Sequence, residues 1–134
     1  MQKRGWWEWG VLVGLAVLLL VFLSPSLLYV RQERRDGIRR TELRQFKQLM
    51  EERNNELGYY PIELNAAPHE FVVTDSEGEQ AEGWYLRAWL ENPAEPEVGF
   101  DEEYNVYYRI GREGEKTYYD ICGGLERCGA KEHE

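Results

Sequence analysis

WGVLVGLAVLLLVFLSPSLLYV, residues 9–30, decides how the rest of the chain is read. Between Gly10 and Val30 the only ionisable side chain is Tyr29. A helix of about 20 apolar residues, rising about 1.5 Å each, crosses a hydrocarbon layer of about 30 Å. A chain of 134 residues has no core wide enough to surround such a helix, so a membrane anchor is expected rather than a buried soluble helix. Trp6, Trp7 and Trp9 at one end and Tyr29 at the other are rings suited to the headgroup level. The run is long for a signal peptide, and Leu23-Ser24-Pro25-Ser26 is a poor cleavage site, so the segment is expected to be retained.

Working outward, RQERRDGIRRTELRQFKQLMEERNNEL, residues 31–57, continues the helix as a basic amphipathic stalk. Pro25 removes one helical hydrogen bond and predicts a kink near the membrane surface, not a stop. Ile38, Leu43, Phe46, Leu49, Met50 and Leu57 fall roughly on one face, opposite a charged one. Asp36 with Arg40, and Lys47 with Glu51, stand four apart and are placed to pair. The apolar spacing is too irregular for sustained heptads, so the stripe requires cover from the rest of the chain. Gly58 with Pro61 closes the helix, the first by allowing a left-handed cap and the second by refusing to continue it.

Beyond a loop through Asn65, Pro68 and His69 come four runs rich in strand formers: Glu70 to Thr74, Gly83 to Leu90, Tyr104 to Ile110 and Thr117 to Cys122. Ser76-Glu77-Gly78 and Arg112-Glu113-Gly114 are turn signals that imply antiparallel hairpins, and Asn92 to Phe100 reads as a longer connecting loop. The expected fold is α+β: a long transmembrane-plus-amphipathic helix packed on a small antiparallel β-sheet. Its divisions are a membrane anchor (1–30), a stalk helix (31–58) and a sheet domain with a C-terminal Cys loop (59–134).

Charge is unevenly spread. Residues 1–47 carry a net charge of +5 and residues 48–134 one of −14. A strongly acidic domain repels nucleic acid, which is excluded as a partner, whereas basic residues just past Val30 suit phosphate headgroups of membrane lipid. Counted mechanically, Arg31, Arg34, Arg35, Arg39 and Arg40 outweigh Lys3 and Arg4 and would place the domain in the cytoplasm. Cys122 and Cys128, the only cysteines, argue the other way. They are close enough, with Gly123 and Gly124 between them, for a small disulfide loop, and a disulfide fits an oxidising compartment. Two free cytoplasmic thiols are the alternative.

Little in the chain suggests catalysis. His69 has no accompanying nucleophile pattern, Ser76 sits in a turn, and no glycine-rich phosphate loop occurs, so neither enzyme activity nor a cofactor is expected. No metal site is expected, because two sulfurs with the distant His69 and His133 are not a usual ligand set. Asp75-Ser76-Glu77-Gly78-Glu79 and Asp101-Glu102-Glu103 read as solvated acidic turns before calcium sites. Trp84, Trp89, Tyr107 and Tyr118 are the aromatics that a sheet face would offer to a ligand. Cross-strand aromatic pairs that merely stabilise the sheet are the competing account. In the anchor, Gly10 and Gly14 have the spacing of a helix-packing motif. Glu8 either lies hydrated among the tryptophans or, placed deeper, requires a cation or a shared proton.

Several of these features in this order resemble type IV pilins and type II secretion pseudopilins. The resemblance rests on Glu8 followed at a distance by Pro25, on Pro25-Ser26-Leu27-Leu28 ending the apolar run, on Arg34-Arg35-Asp36-Gly37-Ile38-Arg39-Arg40, and on Gly58-Tyr59-Tyr60-Pro61. Tyr107-Tyr108 and Tyr118-Tyr119-Asp120-Ile121-Cys122 are similar to the final hairpin of short pilin-like proteins. The chain departs from the family pattern at its leader, where Gly5 lies close to Glu8 and is followed by Trp6 instead of phenylalanine. The resemblance implies a structural subunit or accessory of a pilus or pseudopilus-type assembly, with Glu8, Gly10, Gly14 and Pro25 serving anchor and assembly. It also implies a single pass through a bacterial cell membrane, an extracytoplasmic C-terminal domain, and pilin-like subunits or assembly proteins as partners. From another class, the alternative is a tethered binding module that never polymerises and uses its aromatic sheet face for a ligand.

Overall fold

The computed structural model describes residues 5–129. One helix, α1, runs unbroken from Trp6 to Leu57, 52 residues, and passes through Pro25. The proline withholds one donor, and just before it the Ser24 hydroxyl donates to the Leu20 carbonyl, so the ladder is relieved locally and the helix does not end. Gly58 stops it: with φ 80° it takes the left-handed cap and its N–H donates to the Asn54 carbonyl at 2.8 Å. The first half of α1 is exposed throughout and is the one described helix long and apolar enough to cross a membrane. Its second half enters the fold.

Six strands follow: β1 (Tyr60–Pro61), β2 (Glu70–Glu77), β3 (Gln80–Leu90), β4 (Glu97–Asp101), β5 (Val106–Glu113) and β6 (Lys116–Gly124). All pairings are antiparallel, and together with the helix they make the fold α+β. Both turn signals form hairpins, closed at Glu77↔Gln80 and Glu113↔Lys116, with Gly78 and Gly114 at φ 64° and 62°. β6 leaves its hairpin to pair with β3, so the lanes run β2-β3-β6-β5-β4, with β1 continuing the lane of β6 beside the start of β3.

Two short strands lie where loops were expected. Most of β4 falls within Asn92 to Phe100, hidden in the sequence by Pro93 and Pro96 before it and by Gly99. It is an edge strand whose Gly99 leaves room for the Tyr108 ring, since a Cβ there would come within 2.7 Å of the Tyr108 hydroxyl. β1 is only two residues long.

The core lies between the second half of α1 and one sheet face. Leu43 and Met50 are fully buried against Trp84, Leu86, Ala88, Val106, Ile110, Tyr119 and Ile121, with Phe46 packed at the margin. Burying Leu43 or Met50 contributes about 2 kcal/mol each. Ile38, Leu49 and Leu57 were read as the same stripe but lie outside it, at 50%, 37% and 48% exposure. Asp36, Leu43 and Met50, seven apart, mark the true buried line, and the polar member at its start is what hid it.

Asp36 fixes the docking of helix on sheet. Its carboxylate accepts from the Glu91 and Asn92 amides, both at 2.9 Å, and from Arg39 Nη1 at 3.1 Å. It therefore pairs with Arg39 in place of the expected Arg40. Arg39 also donates to the Trp89 carbonyl and to Glu91, and Arg35 reaches Glu91 at 2.7 Å. Further along, Arg44 meets Asp101 at 2.9 Å and Lys47 donates to the Asn105 carbonyl at 2.8 Å; the Lys47–Glu51 pair forms at 4.0 Å.

Candidate functional site

The sheet's other face carries the densest chemistry. Strand alternation sends Trp84, Leu86, Ala88 and Leu90 to the helix and Tyr85, Arg87 and Trp89 outward. The register places Arg87 and Arg109 on either side of Asp120 at the middle of β6. Asp120 is fully buried, with Arg87 Nε on Oδ1 at 2.8 Å, Arg87 Nη2 on Oδ2 at 3.0 Å and Arg109 Nη2 on Oδ2 at 2.7 Å. The Arg87 guanidinium lies 3.8 Å from the centre of the Tyr118 ring, with Tyr85 and Trp89 at 5.2 and 5.6 Å. Hydrogen bonding to Asp120 raises the Arg87 pKa further, so this cation is fixed at any accessible pH.

Gly111 makes room for the arrangement, because a Cβ there would run into the Tyr118 ring. Trp89 meets Tyr118 edge-on at 6.0 Å, and Lys116 Nζ stands 5.7 Å from the Trp89 ring. Arg87 also reaches Glu113 at 3.5 Å, so the two arginines are answered by two carboxylates, Asp120 and Glu113, among the rings. With both arginines paired, what the face offers a ligand is chiefly its partly exposed rings, with Lys116 beside Trp89.

Of the aromatics expected to face a ligand, Trp84 does not. It is fully buried on the helix side, in ring contact with Tyr60 and Phe71, because its strand position has helix-facing parity. Trp89 and Tyr118 share the outer face, where they pair with each other. Tyr107 lies on the same face but two lanes from Trp89, against Phe100 at 4.9 Å. Sequence reasoning passed over Arg87, Arg109 and Asp120. Their signal was three charged residues at mid-strand, each between apolar or aromatic neighbours.

Cys122 and Cys128 form a disulfide, and both are buried. Cys122 lies opposite Tyr107 on one side and Tyr85 on the other, so the bridge ties the chain's end to the outer face. Glu8, Gly10, Gly14 and Pro25 all lie on the exposed half of α1, and a side chain added at Gly10 or Gly14 would meet open space. Lys3, Arg4 and His133 lie outside the described residues. His69 is tucked against Phe46 and bonds Glu42 at 2.8 Å.

Among the described residues, no three His, Cys, Asp or Glu side chains gather as a metal-binding group. In the Asp101-Glu102-Glu103 turn, the Asp101 carboxylate accepts from the Glu103 and Tyr104 amides and from Arg44. Three tyrosines are pushed above the ordinary phenol range. Tyr60 rises to about 12 through burial and its bond to Glu51. Tyr108 rises to about 12 because it donates to Glu97 at 2.7 Å. Tyr119 is raised chiefly by burial. Compared with known proteins, the chain matches no family model, no curated protein and no solved structure.

Proposed function

We propose that the protein is a membrane-anchored, pilin-like structural subunit or accessory of a pilus or pseudopilus-type assembly. It would make a single pass through a bacterial cell membrane and hold its sheet domain outside the cytoplasm. The observation that carries this reading is the division of labour along α1. One continuous helix presents a bare apolar half for lateral packing, and its other half is committed to a folded antiparallel sheet. Association would run through neighbouring anchors, with Gly10 and Gly14 admitting close backbone approach and Glu8 at the interface end. The Cys122–Cys128 disulfide supports the outward placement.

The test is a photo-crosslinking residue at Val13 or Leu18 in native membranes. A ladder of chain multiples, diminished by Glu8→Gln while membrane insertion persists, is the expected result. Monomer alone at both positions would end the assembly reading. The outer face, where Trp89 and Tyr118 lie together half-buried around Arg87, favours a second reading: a tethered module that binds a ligand on this aromatic face and never polymerises. In that reading Trp89→Ala weakens ligand capture and leaves the fold intact.

A further inference from the structure

The loop before β2 closes on the second half of α1 and leaves an open cavity of about 330 Å³ between them, lined chiefly by Glu42, Phe46, Leu49, Ala67, Pro68 and His69. Its walls are mostly apolar: the Phe46 ring and Leu49, 37% exposed, on the helix, with the exposed Ala67 and Pro68 opposite. No Lys or Arg lines it, so Glu42 sets its charge.

His69 builds the polar end. Its side chain is 3% exposed, its ring stands edge-on to Phe46 with centres 6.0 Å apart, and Nε2 meets Glu42 Oε2 at 2.8 Å. A carboxylate only accepts, so the neutral ring keeps its proton on Nε2 and presents a lone pair at Nδ1. Nδ1 bonds none of the described residues and is not walled off, so it opens where the ring does, on the cavity. Among the described residues no other basic side chain lies within ion-pair reach of Glu42, whose side chain is 43% exposed and whose second oxygen is unengaged. Two acceptors, one of them charged, thus stand one imidazole apart beside an apolar wall, with no cation opposite them.

We propose that this cavity receives a lysine side chain of a partner protein, its ammonium on Glu42, its stem across Phe46, and its own amide N–H on His69 Nδ1. The carboxylate and Nδ1 are separated by the 2.8 Å contact and one imidazole ring, a span that an extended lysine covers between its ammonium and its amide. Charge selects the visitor. A carboxylate or phosphate would meet Glu42 unfavourably, an uncharged stem would leave Glu42 without a counterion, and an ammonium gives it a charge-assisted hydrogen bond. The net of −14 over residues 48–134 draws cationic partners to the domain as a whole. A lipid ammonium is out of reach, because Glu42 lies about 18 Å past Val30, at about 1.5 Å per residue. That exclusion alone rests on residues 9–30 spanning a bilayer; the site itself stands whether or not anchors associate.

The test titrates the full chain in micelles with N-acetyl-lysine-N-methylamide and three comparators: the norleucine analogue, which lacks the ammonium, n-pentylamine, which lacks the amide, and butyrate. The readout is the NMR shift of the Leu49 methyls and the His69 ring. The lysine probe is expected to shift both saturably and to bind roughly tenfold tighter than the norleucine analogue, as one charge-assisted hydrogen bond dictates. It should also bind tighter than n-pentylamine. Glu42→Gln brings the lysine and norleucine probes together, whereas Leu49→Ala weakens both and keeps their ratio. No saturable shift at millimolar lysine probe, equal binding of the norleucine analogue, tighter binding of butyrate, or a lysine preference that survives Glu42→Gln would each overturn the proposal. So would n-pentylamine binding as tightly as the lysine probe, which would assign the cavity to a free amine and not to a partner's lysine. Near-UV circular dichroism reports whether each variant folds, and the four wild-type titrations decide the matter even where one does not.

Discussion

Asp36→Ala tests whether one carboxylate holds the helix to the sheet. Asp36 is 4% exposed and is the acceptor for two main-chain amides and one guanidinium nitrogen. Alanine removes all of these acceptors at once. Two amides at a closed junction then lack partners, at about 1–3 kcal/mol each. Arg39 loses less, because it keeps the Trp89 carbonyl and Glu91. The expected loss is therefore about 4 kcal/mol, against a total stability of about 5–15 kcal/mol for a domain of this kind. Asp36→Asn keeps one oxygen for one amide but turns an NH2 toward the other, and should cost about 2 kcal/mol. The measurement is urea unfolding of the full chain in micelles, followed by near-UV circular dichroism, together with hydrogen exchange at Glu91 and Asn92. Both variants should shift the midpoint in that order, and in Asp36→Ala the two amides should lose protection. A cost below about 0.5 kcal/mol, within the range of an ordinary surface substitution, with both amides still protected would refute the reasoning.

Three further outcomes are expected. Asp120→Asn leaves Arg87 and Arg109 facing a neutral group in a closed site and should destabilise the domain by about 3 kcal/mol in the same unfolding assay, the scale for a broken buried ion pair. Reducing the Cys122–Cys128 bridge should cost about 2 kcal/mol, because the loop it closes is short, and the loss should appear as a lowered urea midpoint under dithiothreitol. Tyr60 and Tyr108 keep their protons in the folded chain up to about pH 12, whereas unfolded tyrosine releases its proton near 10. Their contribution is thus complete below about pH 10 and is lost as pH rises toward about 12. Ultraviolet titration should show late tyrosines, the buried Tyr119 among them, with Tyr60→Phe and Tyr108→Phe each removing one, and a single ordinary titration would contradict this.

What the sequence showed and hid follows from the range of the forces involved. The long apolar helix, the Gly58 cap and both hairpins are local, since each is written in consecutive residues, and each is found where expected. Which residue of the amphipathic half meets the sheet is not local. Leu49 and Ile38 are as apolar as Leu43, yet the sheet covers the line through Asp36, because that side chain satisfies two strand-end amides that exist only after folding. The same holds at Trp84 and Trp89. Five residues apart on one strand, they have opposite parity, and only the covered face decides which is core. The outer-face triad needs a register between β3, β6 and β5 that no single segment contains.

The charge division between the halves of the chain has its physical meaning in that docking. A net of +5 over residues 1–47 and −14 beyond makes the stalk and the sheet complementary surfaces. Arg35 and Arg39 meet Glu91, and Arg44 meets Asp101, so the sheet's acids neutralise part of the stalk. A count of juxtamembrane arginines treats Arg31, Arg34, Arg35, Arg39 and Arg40 alike, but in the folded chain two of the five are paired with Glu91. Arg31 and Arg34 are left exposed and without ion-pair partners among the described residues. The positive-inside rule counts Lys and Arg whatever acids they later meet, so the basic run keeps its weight toward a cytoplasmic domain and the Cys122–Cys128 bridge stands against it.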